Sequence, residues 1–174
     1  IDDSIVRGTT LKRSILRILD RLEPKRIVVV SSAPQIRYPD CYGIDMAKMG
    51  DFIAFQAAID LHKERGNEAL IDKVYNACIE ELKKPFAEQR NMVKPIYEHL
   101  TPEETSNRIS ALLTPEGMKA EVRIIYQGIQ GLHAAIPNHK GDWSFTGDFP
   151  TPGGNRVVNR AFVFWKEGRT DRAY

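Results

Sequence analysis

The sequence is poor in cysteine and histidine and has no long apolar run. Its two cysteines, Cys41 and Cys78, lie far apart and belong to no CxxC or Cys/His cluster with metal spacing, which fits a reduced, cytoplasmic protein. The four histidines, His62, His99, His133 and His139, show no ligand spacing either and read as surface or helix-end residues. Charge of one sign is also lacking: 25 Lys and Arg face 23 Asp and Glu, a net charge of +2. That balance speaks against nucleic acid or an anionic membrane as partner, so any anion site must be local. No stretch approaches the ~20 apolar residues of a membrane span, and no charged-then-apolar leader opens the chain. Repeats and low-complexity tracts are absent. An initial methionine is lacking as well: the chain begins Ile1-Asp2-Asp3 and enters a loop at once, so the natural start is expected upstream.

What is there suits a folded domain. Hydrophobic residues make up 42% and charged residues 28% of 174, enough to own a core and too apolar for disorder. Leu11, Ile15, Ile18, Leu19 and Leu22 recur at helical spacing and predict a half-buried helix, with Thr9 and Thr10 as cap candidates and Pro24 beyond its end. Ile27 to Val30 form a β-branched run that predicts a strand covered on both faces. Loop, helix and strand in this order suggest a βαβ unit whose first strand lies upstream.

A helical pattern around Phe52, Ile53, Ala57 and Leu61 ends near Gly66. From Asn67 to Gly117 charged helix formers dominate, with one stripe through Ile71, Val74, Tyr75, Cys78, Ile79 and Leu82. Thr101, Pro102 and Glu104 spell a capping box at the start of a second helix there. Glu121 to Tyr126 predicts a short strand and Gly128 to Ala135 a helix. The tail, with Trp143, Phe145, Phe149, Pro150, Pro152 and Gly153-Gly154, predicts a loop pinned by aromatics, and Trp143 and Trp165 read as anchors. The expected division is 1–66 as an α/β part, 67–120 as a helical insertion, and 121–174 as a C-terminal segment packing back on it.

The segment with chemistry in it is Asp2-Asp3-Ser4-Ile5-Val6-Arg7-Gly8-Thr9-Thr10. Small and hydroxyl residues at a helix start offer backbone N–H groups and hydroxyls to a phosphate, and Gly8 permits a positive φ and close approach. Adjacent carboxylates accept hydrogen bonds from vicinal ribose hydroxyls or hold a hydrated Mg²⁺. The residues by themselves fit equally a plain acidic turn followed by a capped helix. Arg7 is placed to reach a phosphate or to stand in solvent; Arg37, Tyr42 and Asp45 are candidates for the floor of a site, with packing as the alternative for Tyr42.

The full pattern, two acids, five residues ending in glycine, two threonines, then helix and strand, resembles the signature of type I phosphoribosyltransferases. Together with Ser31-Ser32-Ala33-Pro34-Gln35-Ile36-Arg37-Tyr38-Pro39-Asp40-Cys41-Tyr42-Gly43-Ile44-Asp45-Met46, it is similar to glutamine phosphoribosylpyrophosphate amidotransferases over roughly the first 50 residues. A weaker likeness returns at Gly131-Leu132 and at Phe145-Thr146-Gly147-Asp148-Phe149-Pro150-Thr151.

The resemblance implies an α/β, partial type I phosphoribosyltransferase (Rossmann-like) fold with a mainly helical insertion and extension. It implies that Asp2 and Asp3 hold ribose hydroxyls and metal, that Ser4 to Thr10 hold the 5-phosphate of phosphoribosylpyrophosphate, and that Mg²⁺ is the cofactor. Purine nucleotides as feedback inhibitors and a homo-oligomeric parent enzyme follow from the same likeness. The family's iron–sulfur ligands are not matched: Asp40 follows Pro39, Cys41 is displaced by one place, and His139-Lys140-Gly141-Asp142 stand where paired cysteines belong, so a cluster is not expected. Ile1 cannot replace the N-terminal cysteine nucleophile of the glutaminase half. The chain alone is therefore expected to make no phosphoribosylamine. A purine salvage phosphoribosyltransferase, a non-catalytic nucleotide-sensing module and a pure assembly fragment remain as alternatives.

Overall fold

The computed structural model describes residues 1–40, 46–138 and 141–173. Strands β1 (Arg26–Ser31) and β2 (Glu121–Tyr126) run parallel, with Arg26 opposite Glu121 and Ser31 opposite Tyr126. An Arg26–Glu121 ion pair at 2.8 Å closes the start of the ladder. Helices around this small parallel sheet give the α/β mixture that the sequence predicts.

The helix after the loop, α1, is helical from Thr9 and Thr10, runs as a π-turn through Leu11–Ile15 and continues as an α-helix at Leu16–Asp20. Its inward face differs from the predicted stripe. Leu11 and Leu16 are buried, whereas Ile15, Ile18, Leu19 and Leu22 are 36–78% exposed. The wider π-turn shifts the phase of the helix, so Leu16 takes the inward place that a uniform 3.6-residue repeat gives to Ile15. The strand differs too. In β1, Ile27 and Val29 are buried but Val28 is 48% and Val30 39% exposed, because the packed helices all lie on the Ile27–Val29 side. A β-branched run reports strand propensity as well as burial, and only one face is covered here.

The remaining helices are α2 (Ile53–Glu64), α3 (Glu68–Leu82), α4 (Pro95–Glu98), α5 (Pro102–Leu113), α6 (Ile129–Ala135), α7 (Trp143–Thr146) and α8 (Pro152–Lys166). The predicted stripe of α3 buries Ile71, Val74 and Cys78. The capping box of α5 is complete: the Glu104 amide donates to Thr101 Oγ1 at 3.1 Å and the Thr101 amide to Glu104 Oε2 at 2.9 Å.

The tail holds a helix where a loop is predicted. Thr151 and Pro152 supply the cap and first position of α8, and Val157, Val158, Ala161 and Phe162 bury one face. Gly154 lies inside the first turn because the Phe149 ring occupies the place of a side chain, so the glycine marks a close approach rather than a break. Trp165 does anchor, edge-on to Phe55 at 4.7 Å.

Two cores result. One joins α2, α3, α4 and α8 around Phe52, Phe55, Ile96 and Phe162. The other joins the sheet to α1, α2 and α5 through Ile5, Leu16, Val29, Ile109, Leu113 and Ile124. Helix α2 serves both, with Ile53, Ala54 and Ala57 in the second and Phe55, Ala58 and Ile59 in the first. The acidic loop lies where they meet.

Candidate functional site

Asp2 is extended and bridges Ser31 in parallel on the edge of β1 away from β2. Its amide donates to the Val30 carbonyl at 2.8 Å, and the Ser32 amide donates back to the Asp2 carbonyl at 3.0 Å. The Ala33 amide donates to the Asp3 carbonyl at 3.1 Å. The acidic pair therefore stands at the carboxyl end of parallel strands, the end where open α/β sheets place their ligands. The Ser4 amide donates to both carboxylates, at 3.1 Å to Asp2 Oδ1 and 2.7 Å to Asp3 Oδ1. One shared donor leaves the second oxygen of each carboxylate unclaimed by it.

The loop that follows is stapled to both cores. Ile5 is 3% exposed in the sheet core, and Val6 packs against the other core while its carbonyl accepts the Ile53 amide at 2.8 Å. The side chains of Ile5 and Val6 thus face inward, and what they offer a ligand is backbone. Arg7 lies 3.6 Å from Asp51 in an ion pair. Gly8 has φ +67°, and its carbonyl accepts the Lys12 amide at 2.9 Å to open the helix. The amides of Thr9, Thr10 and Leu11 precede that bond and have no place in the helical ladder. Thr9 and Thr10 are predicted as caps, but both are already helical and Thr10 makes no capping side-chain bond. The helix mouth is open because its first turn starts one residue earlier, at Gly8.

Asp2, Ser4, Gly8, Thr9 and Thr10 help line a cavity of about 450 Å³, with Met46 on another wall. That size suits a small ligand. Asp3 is exposed and does not line it. Tyr126 lies one strand beyond Ser31, and its hydroxyl is buried without a partner among the described residues. Burial foremost, and then the negative charge of Asp2, raise its pKa well above the usual phenol value.

The other candidates that the structure describes fall elsewhere. Arg37 donates to Gln35 Oε1 at 3.0 Å and lies over the Tyr97 ring, as a packed residue does. Tyr42, Asp45, Cys41 and His139 lie outside the described residues. His62 is a helix-end residue but buried at 1% exposure, with Nε2 2.8 Å from the Ile96 carbonyl. His133 pairs with Asp142 at 2.9 Å. Among the described residues no group of three or more His, Cys, Asp or Glu side chains is arranged to hold a metal, and no helix is long and apolar enough to cross a membrane. The residues that sequence reading misses, Leu113 and Asp51, become neighbours of the loop only through the fold, while Met46 comes from the Ser31 to Met46 segment.

No family model matches the chain, and no solved structure matches it. Curated relatives do. The chain is 37% identical over 81 residues, 46% of its length, to the amidophosphoribosyltransferase of Escherichia coli (strain K12). It is 45% identical over 60 residues, 34% of its length, to that of Pasteurella multocida, and 46% identical over 55 residues, 32% of its length, to that of Schizosaccharomyces pombe. Only 10–16% of the length of these relatives is spanned. Part of this chain is therefore similar to a short part of amidophosphoribosyltransferases.

Proposed function

We propose that the chain supplies the ribose 5-phosphate grip of an amidophosphoribosyltransferase acting in purine biosynthesis. The single observation that carries this reading is the cavity between Asp2 and the Gly8–Thr10 helix mouth, with a carboxylate on one wall and ladder-free amides on another. The similarity to enzymes of that name supports the same assignment. So does the placement of the acidic pair beside a parallel sheet, which fits a partial type I phosphoribosyltransferase fold.

In the proposed reaction, ammonia released from glutamine elsewhere in the parent enzyme attacks the anomeric carbon of phosphoribosylpyrophosphate. The carbon–nitrogen bond forms as the bond from carbon to pyrophosphate oxygen breaks, and the nitrogen gives up a proton. Positive charge develops on the sugar, so the task of this loop is to fix the ribose and exclude water. The amides of Thr9, Thr10 and Leu11, with the positive end of the helix, hold the 5-phosphate. Asp2 accepts from the ribose hydroxyls.

Mg²⁺ fits the donor set, since it takes one or two carboxylates and completes its shell with water and phosphate oxygens. Asp2, on the cavity wall, would hold it, with Asp3 beside that wall as the second carboxylate of the pair, and when bound it would neutralise charge on the departing pyrophosphate.

The deciding experiment restores the natural upstream sequence and follows glutamine-dependent pyrophosphate release. Asp2→Ala combined with Asp3→Ala is expected to abolish it; release at the parental rate would defeat the assignment.

A further inference from the structure

We propose that a second, larger cavity beside the loop binds a small polyanion with two or more linked phosphates. This cavity, about 850 Å³, shares Arg7, Gly8 and Thr9 with the first but is otherwise walled by α1, α2, α5, the segment around Lys48 and the tail. Among the described residues six cations line it, Arg7, Lys12, Arg13, Arg17, Lys48 and Arg172, against one carboxylate, Asp51. The whole chain carries a net charge of only +2, so positive charge is concentrated here and offset elsewhere.

The arrangement is mildly unfavourable without an anion. Arg13 and Arg17 are four residues apart on one helix, a spacing at which like charges repel. Lys12 and Arg13 also stand in the first turns of α1, the end where the helix dipole favours negative charge, and no acid occupies that turn. Asp51 answers Arg7, at 3.6 Å. Lys12 is held in place by donating to the Leu112 carbonyl at 2.7 Å, which fixes one cation at the end of α5. Clustered cations in a cleft focus the field on whatever enters, and linked phosphates match several of them at once. No aromatic residue lines the cavity among the described residues, so the phosphates are recognised and a nucleoside base is not.

The test is calorimetric titration of the 174-residue chain with inorganic triphosphate, pyrophosphate and orthophosphate at low and high salt. Triphosphate is expected to bind more tightly than orthophosphate, with affinity falling as salt rises. Arg13→Glu combined with Arg17→Glu should weaken triphosphate at least about tenfold, since each reversed charge exchanges attraction for repulsion. Lys48→Glu, on a different element, should weaken it in the same direction, while Lys83→Glu, in the turn after α3, should not. A nucleoside triphosphate should bind no more tightly than triphosphate itself. The proposal is overturned by undetectable triphosphate binding at millimolar ligand, by indifference to the Arg13/Arg17 reversal, by equal loss in Lys83→Glu, or by a large gain from the nucleoside.

Discussion

A β-carbon on Gly8 would lie 2.5 Å from Cδ2 of Leu113. Leu113 is 2% exposed and fixed in the sheet core at the last position of α5, so it has little room to withdraw. The backbone of Gly8 is left-handed at φ +67°. Two requirements for glycine thus coincide at the residue that turns the loop into the helix, one from its own backbone and one from α5, distant in sequence.

Gly8→Ala should therefore destabilise the chain by about 2 kcal/mol or more, combining a left-handed alanine with a clash. For a chain of this size that lowers the melting temperature by roughly 4–8 °C. Leu113→Ala removes the clash but not the φ strain. The double variant should be more stable than the sum of the single losses predicts, measured as a coupling energy in urea melts. Strict additivity would mean that the two residues do not touch.

Ser110 makes a second dependence visible. Its hydroxyl oxygen accepts the amide of the buried Ile124 at 2.9 Å, while its proton goes to the Ser106 carbonyl at 2.8 Å. On the edge of β2 away from β1 this amide is satisfied by a helix side chain instead of another strand. Ser110→Ala leaves that amide without a partner and should cost about 1–3 kcal/mol in denaturant unfolding. Faster hydrogen exchange at the Ile124 amide than at Val29 would accompany it; unchanged exchange would count against the bond.

Much of this arrangement is legible in the residues. The span of β2, the capping box at Thr101 and Glu104, and the stripe through Ile71, Val74 and Cys78 are local patterns, and the structure reproduces them. The exposed Val28 and Val30 are not legible, because a run of valines is compatible with one covered face or two. Helix α8 is hidden by Gly153-Gly154, of which Gly154 is required by the Phe149 ring and not by a turn. At the candidate site the loop itself is readable, but its supports Leu113 and Asp51 carry no motif and meet the loop only in three dimensions.

Glu81 gives a pH dependence with a defined sign. Burial alone would raise its carboxyl, but hydrogen bonds from Lys84 and from the Arg90 amide, at 2.8 Å for the latter, outweigh it and hold the pKa below the ordinary carboxylate value. A lowered folded pKa contributes stability that is present above the unfolded value and lost as pH falls through the folded one. The loss should begin below about pH 4.5. Glu81→Gln should flatten stability against pH in that acid range while costing stability at neutral pH. An identical acid limb in both proteins would show that Glu81 is not held in its charged form.

Cys78 supplies the complementary case of a group kept neutral. It is fully buried between α3 and α8, with Sγ donating to Asn159 Oδ1 at 3.6 Å. Burial, and after it the nearby charge of Glu81, push its thiol up to about 12. At pH 8 the thiolate that reacts with alkylating reagents is then on the order of one part in ten thousand, and the side chain is enclosed as well. In a Cys41→Ser background, modification of Cys78 should be negligible in buffer and should rise with urea in step with the loss of helical circular dichroism. The same curve should shift to lower urea in Asn159→Ala, since Asn159 also accepts the Met92 amide at 3.0 Å and donates to the Arg90 carbonyl at 2.8 Å. Rapid labelling without denaturant would mean that α3 and α8 do not close over this thiol.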